Sequence, residues 1–167
     1  MRLFVAVRPP GEVVEALAAV PRPVSDAVRW TGAGQWHVTL RFFGEVDDAT
    51  PITSTLNGAL LDAQPVVVRI GPRATTLGRG VVCLPVDGLR DLAGRIAEAT
   101  RDHGARPPAR AFHGHLTLAR TKGRRPPIDG FALDASWTVG EVELVRSHLG
   151  GGPARYEPLA TFVLGGG

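Results

Sequence analysis

Gln35-Trp36-His37-Val38-Thr39-Leu40-Arg41-Phe42-Phe43-Gly44 is the stretch whose reading decides the fold, because its pattern returns as His113-Gly114-His115-Leu116-Thr117-Leu118-Ala119-Arg120. Each copy runs His, aliphatic, Thr, aliphatic. Alternation of that kind over Val, Leu and Thr marks a half-buried β-strand. Side chains two apart on a strand share a face. His37 and Thr39 are therefore expected on one face, with Val38 and Leu40 turned to the core, and His115 and Thr117 repeat the arrangement. Two such strands facing one another would gather two imidazoles and two hydroxyls around one cleft.

The surrounding chain supplies elements at matching places. Leu3 to Val7 reads as a buried strand ended by Pro9-Pro10, and Gly11 to Val20 as a helix closed by Pro21 and Pro23. Asp47 to Pro51 has the acidic cap and early Pro of a helix start. Its apolar stripe is expected to be Ile52, Leu56, Leu60 and Leu61. Pro65 to Ile70 and Val81 to Val86 are strands separated by turns around a polar connection, and Asp87 to His103 is the clearest amphipathic helix. Phe131 to Trp137, Gly140 to His148 and Arg155 to Leu164 alternate as three closing strands, and Gly165 to Gly167 should be a frayed tail. The second half echoes the first, so the expected fold is α+β: two pseudo-symmetric lobes of antiparallel sheet, helices packed outside, and a cleft between them. Residues 1–164 form a single two-lobed domain.

Composition narrows the partners. The chain has 167 residues, 44% hydrophobic and 21% charged, with a formal charge of +3. Its bases are nearly all Arg, with Lys122 the sole lysine, and the planar guanidinium suits phosphate. Arg110, Arg124 and Arg125 are either RNA contacts or solvated loop charge. Cys83 is alone, which excludes an internal disulfide and a four-thiolate zinc site. No stretch approaches the roughly 20 apolar residues of a membrane span. The expectation is a cytoplasmic monomer that does not engage membranes. No dinucleotide-binding glycine fingerprint, Walker-type loop or nucleophile elbow is present.

Imidazole gives or takes a proton near neutrality. Two of them on opposite sides of a phosphate can divide general base and general acid work, while Thr hydroxyls and an Arg bind the non-bridging oxygens. Such a site needs no metal and suits a strained cyclic phosphate. Zinc held by His113, His115 and His37 is the competing arrangement, although neither motif carries a carboxylate. His103 and His148 read as bystanders. The residues alone do not say which motif His is the acid. Phe42 stands at the offset from His37 that Arg120 holds from His115, and is either core or a platform for a nucleobase. Five residues after His115, Arg120 would face away from it on a regular strand, so a strand end or bulge must redirect it.

The paired motifs, together with the opening Met1-Arg2-Leu3-Phe4-Val5-Ala6-Val7, the Trp30 region, Leu144-Val145-Arg146-Ser147-His148-Leu149 and Tyr156, resemble the 2H phosphoesterases. Within them the likeness is to the bacterial and archaeal RNA 2′,3′-cyclic phosphodiesterases, also called 2′-5′ RNA ligases, and it runs almost end to end. The resemblance implies metal- and cofactor-independent hydrolysis of 2′,3′-cyclic phosphates, on RNA ends or cyclic nucleotides, to 2′-phosphomonoesters. It also implies His37 as proton donor, His115 as proton acceptor, and Thr39, Thr117 and Arg120 as phosphate ligands. ATP-independent 2′-5′ joining of RNA ends at the same site is an alternative, as is a module that binds RNA ends without turnover. Two departures from the family pattern stand out. Gly114 occupies a place where Pro is usual, which is expected to loosen the approach of His115. Arg73 to Gly80 lacks the usual aromatic and proline residues.

Overall fold

The structure, a computed structural model, describes residues 1–122 and 131–166. Arg124, Arg125 and Gly167 lie outside the described residues. Ten strands form one curled antiparallel sheet: β1 (Arg2–Val7), β2 (Val28–Trp30), β3 (Val38–Glu45), β4 (Val66–Ile70), β5 (Thr75–Leu77), β6 (Val81–Asp87), β7 (His115–Thr121), β8 (Ala135–Val139), β9 (Glu141–His148) and β10 (Arg155–Val163). The path runs β10-β9-β1-β3-β7-β6-β4-β8, with β2 joined to β7 and β5 to β6.

Three helices, α1 (Gly11–Ala19), α2 (Thr50–Leu60) and α3 (Arg90–Ala99), cover one face of this sheet. Their apolar stripes (Val13 and Leu17; Ile52, Leu56 and Leu60; Leu92, Ala93 and Ile96) share a single core with inward residues of nearly every strand. Period-3.6 and period-2 patterns thus converge on the same apolar layer. The chain builds two similar strand–helix–strand units. In one, β1 leads through α1 to β3; in the other, β6 leads through α3 to β7. Each unit pairs its two strands antiparallel and has a motif His at the start of the second.

The expected α+β architecture of two lobes is present, and the motif strands meet side by side where the lobes join. They are neighbours in one sheet, and the groove is the uncovered face of that sheet. Several boundaries differ from expectation. Helix α3 is shorter because Asp87 completes β6, Gly88 turns at φ 103°, and Thr100 closes the last turn through its hydroxyl on the Ile96 carbonyl. The connection expected to be polar contains β5, paired to β6. The strand expected over Phe131 to Trp137 begins only at Ala135. Leu61 is 70% exposed, past the end of the α2 stripe. Gly165, expected to fray, donates its N–H to the Ala63 carbonyl at 2.7 Å. Among the described residues no helix is long and apolar enough to cross a membrane.

Candidate active site

Strands β3 and β7 meet antiparallel with Val38 opposite Leu116. Carried one residue either way, that register sets His37 opposite Thr117 and Thr39 opposite His115. Val38 and Leu116 are fully buried. Alternation then turns all four motif side chains to the uncovered face, where each is half-buried. The two histidines lie diagonally across the pair, a relation that separates residues by roughly 7–8 Å on adjacent strands. A tetrahedral phosphorus centre fits between groups so spaced.

The His37 ring is held at both nitrogens. Nδ1 is 2.7 Å from the Gln35 carbonyl and Nε2 is 3.1 Å from the Thr39 hydroxyl. A carbonyl only accepts, so Nδ1 carries the proton, and in the neutral ring Nε2 accepts from Thr39. Phe4 and Tyr156 pack on the ring, both with centroids at 4.9 Å. Burial is the main reason its pKa falls to about 4; the Arg8 guanidinium and His115 push the same way, against the Gln35 carbonyl and Glu143. Arg8 is itself paired to Glu143 at 2.7 Å. His115 likewise turns Nδ1 to a main-chain carbonyl, that of His113, at 3.0 Å. Both imidazoles therefore present Nε2 to the groove. His113 does not join them in a ligand cluster: among the described residues no group of three His, Cys, Asp or Glu is placed to hold a metal.

The bulge that Arg120 requires is present. Along β7 the partner on β6 steps from Thr117 (Cys83) directly to Ala119 (Val82), leaving Leu118 as an extra residue. Leu118 and Ala119 are both buried, and Arg120 emerges exposed on the face of His115 and Thr117. Strand β3 does the same at the same offset: Leu40 is extra between Thr39 and Arg41, Arg41 is buried, and Phe42 emerges 40% exposed. Phe42 is therefore not core. The Arg2 guanidinium lies over its ring at 4.6 Å.

Two supports of the site were not legible in the motifs. The Thr31 hydroxyl accepts from the Trp36 indole N–H at 3.0 Å and donates to the Thr117 and Leu118 carbonyls, both at 2.8 Å. One hydroxyl thus ties the residue before His37 to the bulge after Thr117. Arg8, next to the motif strand because Val7 pairs with Val38, adds to the effect of burial in disfavouring the charged form of His37. Finding either from sequence would have needed the strand register. Gly114, expected to loosen the site, is instead closely packed. A Cβ there would run into the Val86 carbonyl oxygen, and the Gly114 carbonyl accepts from the Val86 N–H at 2.9 Å. Beside His115 a cavity of about 300 Å³ opens between Thr75, Leu77, Cys83, Pro85 and Phe112. Burial pushes the Cys83 thiol up to about 11, so it lines this cavity as an inert neutral group.

Residues 25–151 match the family model described as the 2′-5′ RNA ligase superfamily, a span that contains both motifs and the seam between them. The chain belongs to that superfamily. TT0787 of Thermus thermophilus is 28% identical, with 98% of each chain covered and a TM-score of 0.84. E. coli LigT, solved in complex with 3′-AMP, is 31% identical over 98% of each chain, with a TM-score of 0.76. A structure described as a phosphoesterase is 32% identical over 98% of this chain and 97% of its own, with a TM-score of 0.77. No curated protein sequence matches. Membership in the 2′-5′ RNA ligase superfamily, which is of 2H phosphoesterase type, supports phosphoesterase activity.

Proposed function

We propose that the protein hydrolyses the 2′,3′-cyclic phosphate of RNA ends or nucleotides to a 2′-phosphomonoester, using His115 as general base and His37 as general acid. The observation that carries this reading is the Val38–Leu116 register, which sets both His-x-Thr pairs side by side on the uncovered face. His115 Nε2 takes a proton from water as the water oxygen bonds to phosphorus. The bond from phosphorus to the 3′ oxygen breaks, and His37 Nε2 delivers the proton that oxygen needs. Thr39 and Thr117 donate to the non-bridging oxygens, and Arg120 neutralises charge from the end of the row.

The low pKa of His37 is compatible with a donor role once substrate is present. A phosphodiester anion at about 4 Å favours the charged imidazole by about 4 kcal/mol at an effective dielectric of 20, about a thousandfold in its protonation. The substrate thus brings His37 into its acid form. LigT structures with 3′-AMP and with phosphate support a nucleotide phosphate as the ligand of this groove. The same groups run in reverse would join a 2′,3′-cyclic end to a 5′-hydroxyl, and the family description favours keeping that direction in view.

The deciding experiment is product analysis with 2′,3′-cyclic AMP. The expected product is 2′-AMP, formed equally with and without EDTA, and His37→Ala or His115→Ala should each lower kcat by at least about a hundredfold. Formation of 3′-AMP, or activity that EDTA abolishes, would overturn the mechanism. Tight RNA-end binding without any product would leave only a binding module. Paired RNA fragments resolved on a gel read the joining direction.

A further inference from the structure

Strand β2 lies against the edge of β7 beyond the point where β3 leaves it, and there Arg29 is directly opposite Arg120. Directly opposed residues of an antiparallel pair point to the same face, and like charges so placed destabilise a sheet. Both are exposed, and among the described residues neither guanidinium has a hydrogen-bond or carboxylate partner. Their neighbours Trp30 and Ala119 turn to the opposite, core face, so the two arginines share the uncovered face with His115 and Thr117. The sheet therefore holds two adjacent positive charges, without a carboxylate partner among the described residues, in line with the catalytic row.

Position decides what they meet. The reacting phosphate belongs above the Val38–Leu116 pair, and Arg120 is four residues further along β7. At about 3.3 Å per residue that is roughly 13 Å between backbones, shortened by the bulge. The Arg120 side chain spans that gap back towards the reacting end, while Arg29 lies one strand further out. A cyclic mononucleotide has one phosphate, which Arg120 serves, and nothing to offer Arg29. An RNA end carries further phosphodiesters on its 5′ side. The equivalent place on β3 holds Phe42 with Arg2 stacked on its ring, a single base engaged with an aromatic face rather than an opposed pair of guanidinia. The opposed pair of arginines is thus found on the β7–β2 side of the groove.

We infer that Arg29, beside Arg120, binds an internal phosphodiester upstream of the reacting end, so that the site selects RNA ends over cyclic mononucleotides and leads the chain out across β7 and β2. This rests on the proposed cyclic phosphodiesterase reading and adds the substrate class.

The test compares Arg29→Gln with the native protein on 2′,3′-cyclic UMP and on a decauridylate ending in a 2′,3′-cyclic phosphate. Arg101→Gln, on the helix side, controls for net charge. The expected result is a fall of about tenfold in kcat/KM on the decamer, less than twofold on the mononucleotide, and no such split for Arg101→Gln. Equal losses on both substrates, or none on either, would overturn the inference. A binding readout stands apart from turnover: with a fluorescein-labelled decauridylate ending in a 2′-phosphate, log Kd against log salt should lose about 0.7 of its slope in Arg29→Gln. An unchanged slope overturns the inference even if the enzyme is active. A changed slope in a protein that turns over neither substrate sustains the RNA contact while sinking the hydrolase reading. Relief of the like-charge pair should leave Tm unchanged or slightly raised, and a marked fall would make Arg29 a structural residue instead.

Discussion

His37 is packed between Phe4 and Tyr156 with Arg8 and His115 nearby, and all but Glu143 and the Gln35 carbonyl act against its charged form. The consequence can be measured without any substrate. In the empty protein the imidazole should titrate near 4, and inorganic phosphate or 2′-AMP at saturation should raise that midpoint towards neutrality; histidine resonances in NMR read both. The same shift is a statement about stability. The unfolded chain takes up its proton at about 6.5 and the folded chain only near 4. Stability is therefore fully present above 6.5, falls as the pH drops through this window, and is lower by about 3 kcal/mol once the pH passes below 4. His37→Gln should flatten the Tm profile over that interval, and a profile as steep as the native one would show that other groups cause it. The residue types were visible in the sequence, where two repeated His-x-Thr units stood out. The environment was not, because Arg8, Phe4 and Tyr156 reach His37 only through strand pairings that no local pattern encodes.

Strands β3 and β7 each carry an extra residue three positions after the motif His, and this fixes which side chains share the groove. In β7 the sequence did hold a trace of it: Leu118 and Ala119 are consecutive apolar residues where alternation calls for one, and Arg120 follows. In β3 the trace was hidden, since the second bulge residue is Arg41, which reads as an outward position. It is only 3% exposed, its two terminal guanidinium nitrogens donating to the carbonyls of Phe42, His103 and Ala105 while its buried Nε has no partner among the described residues. The entry to β7 depends on a different local fact. Gly114 lies so close to the Val86 backbone that a side chain cannot be added without moving one strand. Because the obstacle is main chain, relief comes from moving either Val86 of β6 or the entry to β7, and the latter carries His115 with it. Gly114→Ala should lower kcat by about ten- to a hundredfold with KM changed little, and Tm by a few degrees. A variant with native kcat would show that β7 tolerates the displacement. Gly114→Pro, which restores the residue the resemblance led one to expect, carries the same Cβ and should behave no better here.

Strands β3 and β7 touch at a single registered pair, Val38 and Leu116, β2 adds three more pairs along the same edge of β7, and the apolar core behind them is continuous. It joins Val13 and Leu17 of α1 to Ile96 of α3, and Val142 and Leu144 of β9 to Val68 and Ile70 of β4. Duplication was readable from the repeated motif, but how the lobes join was not. Two copies could have faced one another across a gap; here β3 and β7 meet edge to edge and share one covering layer of helices. A shared core has a thermodynamic signature. The halves should unfold together, in one transition whose calorimetric and van't Hoff enthalpies agree. Leu116 is fully buried at the seam, and its truncation removes packing from both sides at once. Leu116→Ala should cost about 2–5 kcal/mol by analogy with other buried leucines, roughly 6–12 °C in Tm for a loss of about 3 kcal/mol. The transition should remain single as it moves down, because the residue stabilises both units equally. Differential scanning calorimetry decides the matter: a second, unshifted transition would mean that β1-α1-β3 and β6-α3-β7 fold as independent units. The groove between His37 and His115 would then be a docking surface between lobes rather than one face of a single sheet.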